Sequence, residues 1–286
     1  MAGNFFIGLD SDGCVLDTMA SKQHLFLQPL FVKAFDLAPV AEVYQACADF
    51  VSLYSQTRGI SRLRAILLTL THFNRHPGRV AAGFPIIDTA DLEAFAASGL
   101  PLSNAALKTW LVEHPSTLLE RLLAWSEAVN AAILQSGVVF PVYEGARQAL
   151  MGMKGRSTAG VVSQSPEQVL AQDWGAHGLL DYVAHVAGAE VGDKVAQLRT
   201  LTDGRFPRDH VLMVGDAPGD WQAAHSFGCR FFPIVPGAEE ASWARFNGGI
   251  YEAFITGQWS REAEAAEIAR FESALPVAPP WEEVAL

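Results

Sequence analysis

The stretch "FIGLDSDGCVLD", residues 6–17, decides the fold. Its apolar run is typical of a buried strand, and it ends at Asp10 with a second acid, Asp12, two residues later. Gly13 allows the chain to turn away so that both acids face one site. Two carboxylates about 5 Å apart repel each other by roughly 3 kcal/mol at an effective dielectric constant of about 20. The stretch therefore predicts a strand end that holds a cation, with an acidic pair that merely caps a turn as the alternative.

Four more apolar runs follow the first and predict the rest of a sheet. They are "STAGVVS" (157–163), "YVAHVAG" (182–188), "VLMVGD" (211–216) and "RFFPIV" (230–235). Helix-length segments separate them, including 166–177, with Ser165 as the predicted N-cap, and 219–227, which ends before Gly228. This alternation predicts an α/β fold with a Rossmann-like parallel sheet and helices on both faces. Pro233 cannot donate a ladder hydrogen bond, so the fifth strand is expected at the edge.

The interval between the first and second predicted strands is far longer than a crossover needs. Its periodicity and its Gly and Pro breaks predict six helices, at residues 20–36, 40–57, 61–74, 88–98, 103–113 and 115–135. We therefore predict a core domain of residues 1–18 and 138–286, and a smaller all-helical domain of residues 19–137 inserted after strand 1. The helical extension at 238–272 is expected either to cover the edge strand or to mediate a dimer.

In open parallel sheets, ligands bind at the carboxyl ends of the strands. Asp10 and Asp12 follow strand 1, Ser163 and Ser165 follow strand 2, and "GDAPGD" places Asp216 and Asp220 after strand 4. Four carboxylates at one edge favour a hard divalent cation, and Mg²⁺ suits oxygen ligands and phosphate oxygens.

If one of these carboxylates attacks a phosphate bound at the metal, a cationic side chain is also needed beside the carboxylate and the phosphate. The chain has five lysines, and Lys154 precedes strand 2 at the opposite edge of the sheet. Lys194 follows strand 3, on the same edge as the carboxylates. It is the candidate, with an ordinary surface lysine as the alternative.

These residues resemble the haloacid dehalogenase superfamily, in its phosphatase branch with a helical cap inserted after strand 1, as in β-phosphoglucomutase. The resemblance covers residues 1–18 and 138–236 through four ordered motifs: "DSDGCVLD", the serine of "VVSQS", Lys194 and "GDAPGD". Two features depart from the usual pattern. Cys14 stands where threonine or valine is more common, and "AEVGDKVAQL" lacks a proline after the lysine.

The resemblance implies a role for each matching residue. Asp10 would be the nucleophile, and Asp12 the general acid and then the general base. Asp10, the backbone carbonyl of Asp12, and Asp216 would hold Mg²⁺, with Asp220 supporting the metal site. Ser163 would hydrogen-bond the transferring phosphoryl group, with Gln164 beside it as a substrate contact, and Lys194 would steady that group and Asp10.

The segment "QTRGISRLRAI", residues 56–66, is similar to the substrate-contact loop of β-phosphoglucomutase. In this interpretation Arg58, Gly59 and Arg62 contact the substrate anion when the cap closes. The alternative is a helix N-terminus with Ser61 as N-cap and solvated arginines.

Composition narrows the function classes. The net charge of −11 and the pI near 5.1 argue against a nucleic-acid partner. Cys14, Cys47 and Cys229 are too far apart to suggest a disulfide framework or a zinc site, so each is expected in the core. With no signal-peptide pattern and no apolar run long enough to span a bilayer, we expect a cytoplasmic protein without a membrane partner.

The sequence thus predicts a magnesium-dependent phosphatase of a small phosphorylated metabolite that acts through a phospho-aspartyl intermediate, as a monomer or homodimer. A phosphomutase acting on a sugar phosphate is the first alternative. The second, of another class, is a signalling or ligand-binding protein that keeps a phospho-aspartate without turning it over.

Overall fold

The computed structural model describes residues 4–282, so the predicted domain limits at residues 1 and 286 lie outside the described part of the chain. The described residues divide into two compact units. The sheet unit comprises the chain up to Met19 together with Val139–Leu275. The helical unit comprises Ala20–Val138 together with the chain after Leu275.

The sheet unit is built on five parallel strands in the order β3-β2-β1-β4-β5. The strands are β1 Phe6–Leu9, β2 Thr158–Val162, β3 His185–Ala187, β4 Val211–Gly215 and β5 Arg230–Pro233. All five predicted strands are present, and the strand that contains Pro233 lies at the edge. In the central register Leu9 pairs with both Val161 and Val214, so the carboxyl ends of β1, β2 and β4 are level.

Fifteen α-helices lie within the described residues. The first eight are α1 Met19–Lys22, α2 Gln28–Ala34, α3 Ala41–Ser52, α4 Arg62–Arg75, α5 Pro77–Ala81, α6 Ala90–Ala97, α7 Asn104–Glu113 and α8 Thr117–Ser136. The others are α9 Glu144–Met153, α10 Glu167–Ala176, α11 Lys194–Thr202, α12 Pro218–Phe227, α13 Glu239–Arg245, α14 Tyr251–Ile255 and α15 Arg261–Ser273. No helix between residues 4 and 282 is both long enough and apolar enough to cross a membrane.

Alternate residues of the strands point to opposite faces, and each face carries its own apolar layer. Ile7 and Leu9 belong to a cluster that includes residues of α9, α10 and α13. Phe6 belongs to a second cluster, which includes residues of α11 and α12. Helices therefore cover both faces, which confirms the predicted fold class.

The helix after β2 begins later than the sequence predicts. It starts at Glu167, and its N-cap is Pro166, whose side chain makes no capping bond. Ser165, the predicted N-cap, instead donates its hydroxyl to Asp12. The N-cap assignment is therefore wrong, because a contact between distant segments recruits the serine. The second predicted boundary is confirmed: α12 ends at Phe227, and Gly228 is left-handed at φ 83°.

The helical unit has an aromatic core. The Phe31 ring stacks on Tyr44 and meets Trp125 edge-on. The C-terminal segment joins this unit, because Trp281 packs against Phe50 and against His76. The described residues after Leu275 therefore group with the helical unit, and the predicted core domain of residues 1–18 and 138–286 stays a prediction.

The edge strand β5 is covered by α15. Glu264, on α15, accepts the backbone N–H of Phe231 at 2.8 Å and pairs with Arg230 Nε at 2.5 Å. Arg230 also donates to the backbone carbonyl of Trp259 at 2.9 Å. One buried carboxylate thus accepts a backbone N–H of the edge strand and pairs with the arginine beside it. On an exposed edge strand, that N–H would be free to pair with another chain. The helical extension at 238–272 includes the helix that covers the edge strand.

We expect Glu264→Ala to lower the free energy of unfolding by about 3 kcal/mol, because it leaves the buried Arg230 without its counter-charge. Urea unfolding followed by circular dichroism measures this loss. Arg261→Ala is the matched control: Arg261 contacts the same carboxylate at 3.0 Å, but its side chain is 62% exposed. It should cost less than about 1 kcal/mol. Equal unfolding midpoints for both variants would contradict a role for Glu264 at the edge.

The cysteine prediction is confirmed, because Cys14, Cys47 and Cys229 are buried and unpaired. Burial raises the pKa of the Cys229 thiol to about 12 and that of Cys47 to about 12. A thiol with a raised pKa is a poor nucleophile at neutral pH, so these two cysteines are core residues.

Candidate active site

The first acidic residue of the site extends the sheet by one residue. Asp10 follows β1, and its backbone N–H donates to Val214 of β4 at 2.9 Å. Its Oδ1 accepts the backbone N–H of Ser11 at 2.8 Å. Gly13 then turns the chain with a φ of 79°, a left-handed conformation that favours glycine. Asp10 is thereby fixed at the carboxyl edge of the sheet with only 6% of its surface exposed.

The second acidic pair lies where β4 ends, next to β1. Asp216 and Asp220 are both buried. Asp220 Oδ2 accepts the backbone N–H of Ala217 at 3.0 Å, which ties it to the start of α12. A Cβ atom at Gly215 would lie 2.4 Å from Asp220 Cγ. Only glycine therefore allows this carboxylate to approach the strand end so closely.

Lys194 connects the two acidic segments. It is the first residue of α11, and its ammonium contacts Asp10 Oδ2 at 2.9 Å and also Asp220 Oδ1. Burial by itself would lower the pKa of Lys194, but the charges of Asp10 and Asp220 outweigh burial and raise it. The side chain therefore remains an ammonium ion at any physiological pH.

One carboxylate oxygen from each of Asp10, Asp216 and Asp220 lies within 4.8 Å of the others. It is the one group of three potential metal ligands found among residues 4–282. Burial raises the pKa of Asp10 well above its usual range, and the charges of Asp220 and Asp216 raise it further, while Lys194 opposes them. Three carboxylates against one ammonium leave a formal charge of −2.

These residues fit a magnesium ion. Their donors are hard oxygens, the excess charge equals that of a divalent cation, and Gly215 lets the Asp220 carboxylate join the cluster. Asp10, Asp216 and Asp220 are the side chains that could hold it. The prediction of an acidic cluster at this edge of the sheet is confirmed for these three residues.

We expect Mg²⁺ to raise the thermal unfolding midpoint by about 5 °C at a concentration of about one hundred times its dissociation constant. The reason is that the cation binds the folded cluster and removes the repulsion among its carboxylates. Differential scanning fluorimetry measures the shift with no substrate present. Asp216→Asn should lose most of it, and an equal shift in that variant would place the ion elsewhere.

Asp12 lies beside this cluster, but its side chain is not one of the three grouped carboxylates. Its Oδ1 accepts the hydroxyl of Thr18 at 2.5 Å, and its Oδ2 accepts the hydroxyl of Ser165 at 2.7 Å. The expected metal contact of Asp12, through its backbone carbonyl, stays a prediction. Sequence reasoning missed Thr18 and assigned Ser165 to a helix cap.

The loop after β2 carries the predicted phosphoryl contacts. Ser163 is buried, and its hydroxyl accepts the backbone N–H of Ser165 at 3.2 Å. Gln164 is exposed and donates to Gly192 at 3.2 Å. The loop thus places Ser163 two residues from the serine that contacts Asp12.

Gln197 is a supporting residue that sequence reasoning missed. It is fully buried, and its amide donates to the carbonyls of Ser163 at 2.8 Å, Gly188 at 2.9 Å and Gly192 at 3.0 Å. It therefore fastens the loops after β2 and β3 to the helix that begins at Lys194. The available signal was helical spacing, because Gln197 falls on the same face of α11 as the apolar residues Leu198 and Leu201.

The predicted substrate arginines lie in the helical unit. Arg58 is buried and donates to Leu53 at 2.9 Å, next to Gly59, which has a φ of 81°. The predicted helix 40–57 is too long, because α3 ends at Ser52. The Thr57 hydroxyl donates a hydrogen bond to the Val51 carbonyl at 2.7 Å, in place of the backbone N–H that would continue the helix.

Arg62 is held inside the helical unit. Its Nη1 donates to the carbonyl of Ser126 at 2.9 Å and to Asn130 Oδ1 at 2.9 Å, so it joins α4 to α8. Burial lowers its pKa. Substrate binding by Arg58, Gly59 and Arg62 stays a prediction. The alternative is confirmed for the helix start, because α4 begins at Arg62 with Ser61 at the N-cap position. It is wrong about solvation of Arg58 and Arg62, whose guanidinium groups are engaged.

No protein-family model matches the sequence, and no curated protein does. The chain is similar to solved structures of low sequence identity. A HAD-superfamily hydrolase, subfamily IA, variant 1, from Geobacter sulfurreducens is 18% identical, with a TM-score of 0.38, and 81% of this chain and 87% of that chain are covered. A predicted phosphoglycolate phosphatase from Haemophilus somnus is 14% identical, with a TM-score of 0.47 and coverages of 83% and 91%.

A third structure, a HAD-superfamily hydrolase from Ehrlichia chaffeensis, is 15% identical with a TM-score of 0.40, and the similarity covers 91% of this chain and all of that one. At such identities these are likenesses of fold, and they say nothing about activity.

Proposed function

We propose that this chain is a magnesium-dependent phosphoric monoester hydrolase of the haloacid dehalogenase type. Its substrate is a small phosphorylated metabolite, and its intermediate is a phosphoryl group on Asp10. The observation that carries the proposal is the buried ammonium of Lys194, which contacts Asp10 and Asp220 within the three-carboxylate cluster. This contact supports the proposal because it brings the proposed nucleophile, a cation and the proposed metal ligands together at one edge of the sheet.

In the first half-reaction, a carboxylate oxygen of Asp10 attacks phosphorus. The new P–O bond forms as the bond from phosphorus to the leaving oxygen breaks, and Asp12 gives its proton to that oxygen. Lys194 and Ser163 donate hydrogen bonds to the transferring phosphoryl oxygens, which offsets their charge. Asp10, Asp216 and the Asp12 carbonyl, with Asp220 in support, would hold Mg²⁺, and the bound cation would offset phosphoryl charge.

In the second half-reaction, water attacks the phosphorus of the acyl phosphate. Asp12, now a carboxylate, takes a proton from this water, and the bond between phosphorus and Asp10 breaks. Inorganic phosphate leaves, Asp10 is again a carboxylate, and Asp12 is again protonated. The same carboxyl group thus serves both steps, and it must keep one orientation throughout.

We further propose that the helical unit is the cap that selects the substrate, with Arg58, Gly59 and Arg62 as contacts from the cap and Gln164 as a contact from the sheet unit. Arg62 takes part only by exchanging its bonds to α8 for bonds to the anion. The cytoplasmic location and the monomeric or homodimeric state stay predictions.

The experiment is a release assay with the purified full-length chain, Mg²⁺ and a panel of phosphorylated sugars, nucleotides and acids. We expect release of inorganic phosphate from at least one member, and loss of release when the metal is chelated. Isomerisation of a sugar phosphate with little net phosphate would instead identify a mutase. A long-lived phosphoryl adduct after treatment with acetyl phosphate would favour a signalling protein. If the chain neither releases phosphate nor forms a phosphoryl adduct, the proposed chemistry at Asp10 is refuted.

A further inference from the structure

Asp12 is held by hydroxyl groups from two separate segments. Thr18, six residues further along the chain, contacts Oδ1 at 2.5 Å, and Ser165, which lies 153 residues away, contacts Oδ2 at 2.7 Å. Distances of this size are typical of an O–H group that donates to a carboxylate.

Ser165 is itself fixed by the backbone around it. Its N–H donates to the Ser163 hydroxyl at 3.2 Å, and its carbonyl accepts the N–H of Ala189 at 3.1 Å. A Cβ atom at Gly188 would lie 2.7 Å from the Ser165 carbonyl, so the loop after β3 fits tightly against it. The Ser165 hydroxyl therefore presents a rigid contact to Asp12.

We propose that Ser165 is a positioning residue that holds the Asp12 carboxyl in the orientation needed for proton transfer to the leaving oxygen. This inference rests on the proposed function. The terminal torsion of an aspartate is soft, so a carboxyl held on one side only samples a wide range of angles. Proton transfer requires hydrogen-bond geometry between acid and leaving oxygen, and the contact with Ser165 fixes the carboxyl from a distant segment of the chain.

The test compares two esters of similar size that differ in their need for an acid. 4-Nitrophenolate is a weak base that leaves without help, whereas phenolate, the leaving group of phenyl phosphate, needs the proton. For Ser165→Ala we expect kcat/KM for phenyl phosphate, which reports the first half-reaction, to fall about tenfold, the effect of about 1.4 kcal/mol, with a much smaller fall in kcat/KM for 4-nitrophenyl phosphate. Ser165→Thr, which keeps the hydroxyl, should retain the wild-type ratio of the two rates.

Two further variants serve as references for the ratio of the two rates. Asp12→Asn removes the acid and should give the largest change in that ratio. Ser157→Ala is the matched control, because Ser157 is also buried and also makes one hydroxyl contact, with Tyr251 at 3.0 Å, away from the acidic cluster. It should leave the ratio unchanged even if it lowers stability.

The outcomes separate the two proposals. If the wild type releases phosphate from neither ester and from no member of the metabolite panel, the proposed function fails, and the role of Ser165 fails with it. If the wild type hydrolyses both and Asp12→Asn changes the ratio while Ser165→Ala does not, the function stands and the positioning role is overturned. A Thr variant as impaired as the Ala variant would likewise overturn it, because the hydroxyl would not be the group responsible.

Discussion

Replacement of Asp10 by asparagine is expected to lower phosphate release by about 10⁴-fold or more, the scale of effect seen when a covalent nucleophile is removed. The amide has almost the same shape as the carboxylate, so it can keep the contact with the Ser11 N–H. It cannot form the acyl phosphate, because its nitrogen and neutral oxygen are poor nucleophiles. Initial rates of phosphate release at saturating Mg²⁺ measure the loss.

The variant also reports on the intermediate. Acid-quenched wild-type enzyme should carry one phosphoryl group on the peptide that contains Asp10, and Asp10→Asn should carry none, as mass spectrometry measures. Asp209→Asn is the matched control, because Asp209 is exposed and precedes β4, at the opposite end of that strand from the acidic cluster. Undiminished release by Asp10→Asn would show that the nucleophile is another group.

The sequence carries enough information to place the acidic cluster. Buried parallel strands appear as short apolar runs, and the residues that follow them gather at one edge. Asp10 and Asp216 each follow such a run, on strands that turn out to be neighbours. Lys194 could be selected because few lysines compete with it and one of them, Lys154, falls at the other edge.

The supporting contacts could not be predicted in the same way. Ser165 pairs with Asp12 across 153 positions, Gln197 reaches Ser163 across 34, and Arg62 reaches Ser126 across 64. Local propensity describes each residue by its chain neighbours, so it assigned Ser165 to a cap and Arg62 to a solvated face or to the substrate. These assignments depend on where other segments pack, which a single local pattern does not contain.

The second large effect is expected from Lys194→Met, which keeps the length and apolar stem of the side chain and removes its charge. Asp10 and Asp220 then remain buried without their shared cation, and breaking a buried pair in this way costs about 3 kcal/mol. We expect phosphate release to fall by about 10³-fold, because the transferring group loses a charged donor. Lys154→Met is the matched control, since its ammonium lies over the ring of Tyr182, 4.9 Å from the centroid.

The stability loss in Lys194→Met should depend on pH, and its sign follows from Asp10. Burial raises the pKa of this carboxyl above its value in the unfolded chain, so the folded state binds the extra proton and loses stability as pH rises through that range. Without Lys194, which lowers that pKa in the wild type, the cost of ionisation grows. The difference in unfolding free energy between wild type and variant should therefore be larger at about pH 8 than at about pH 5, measured by urea denaturation without Mg²⁺. A difference that is independent of pH would mean that the ammonium does not compensate these carboxylates. Added Mg²⁺ should make the difference at about pH 8 smaller if the ion binds the same cluster.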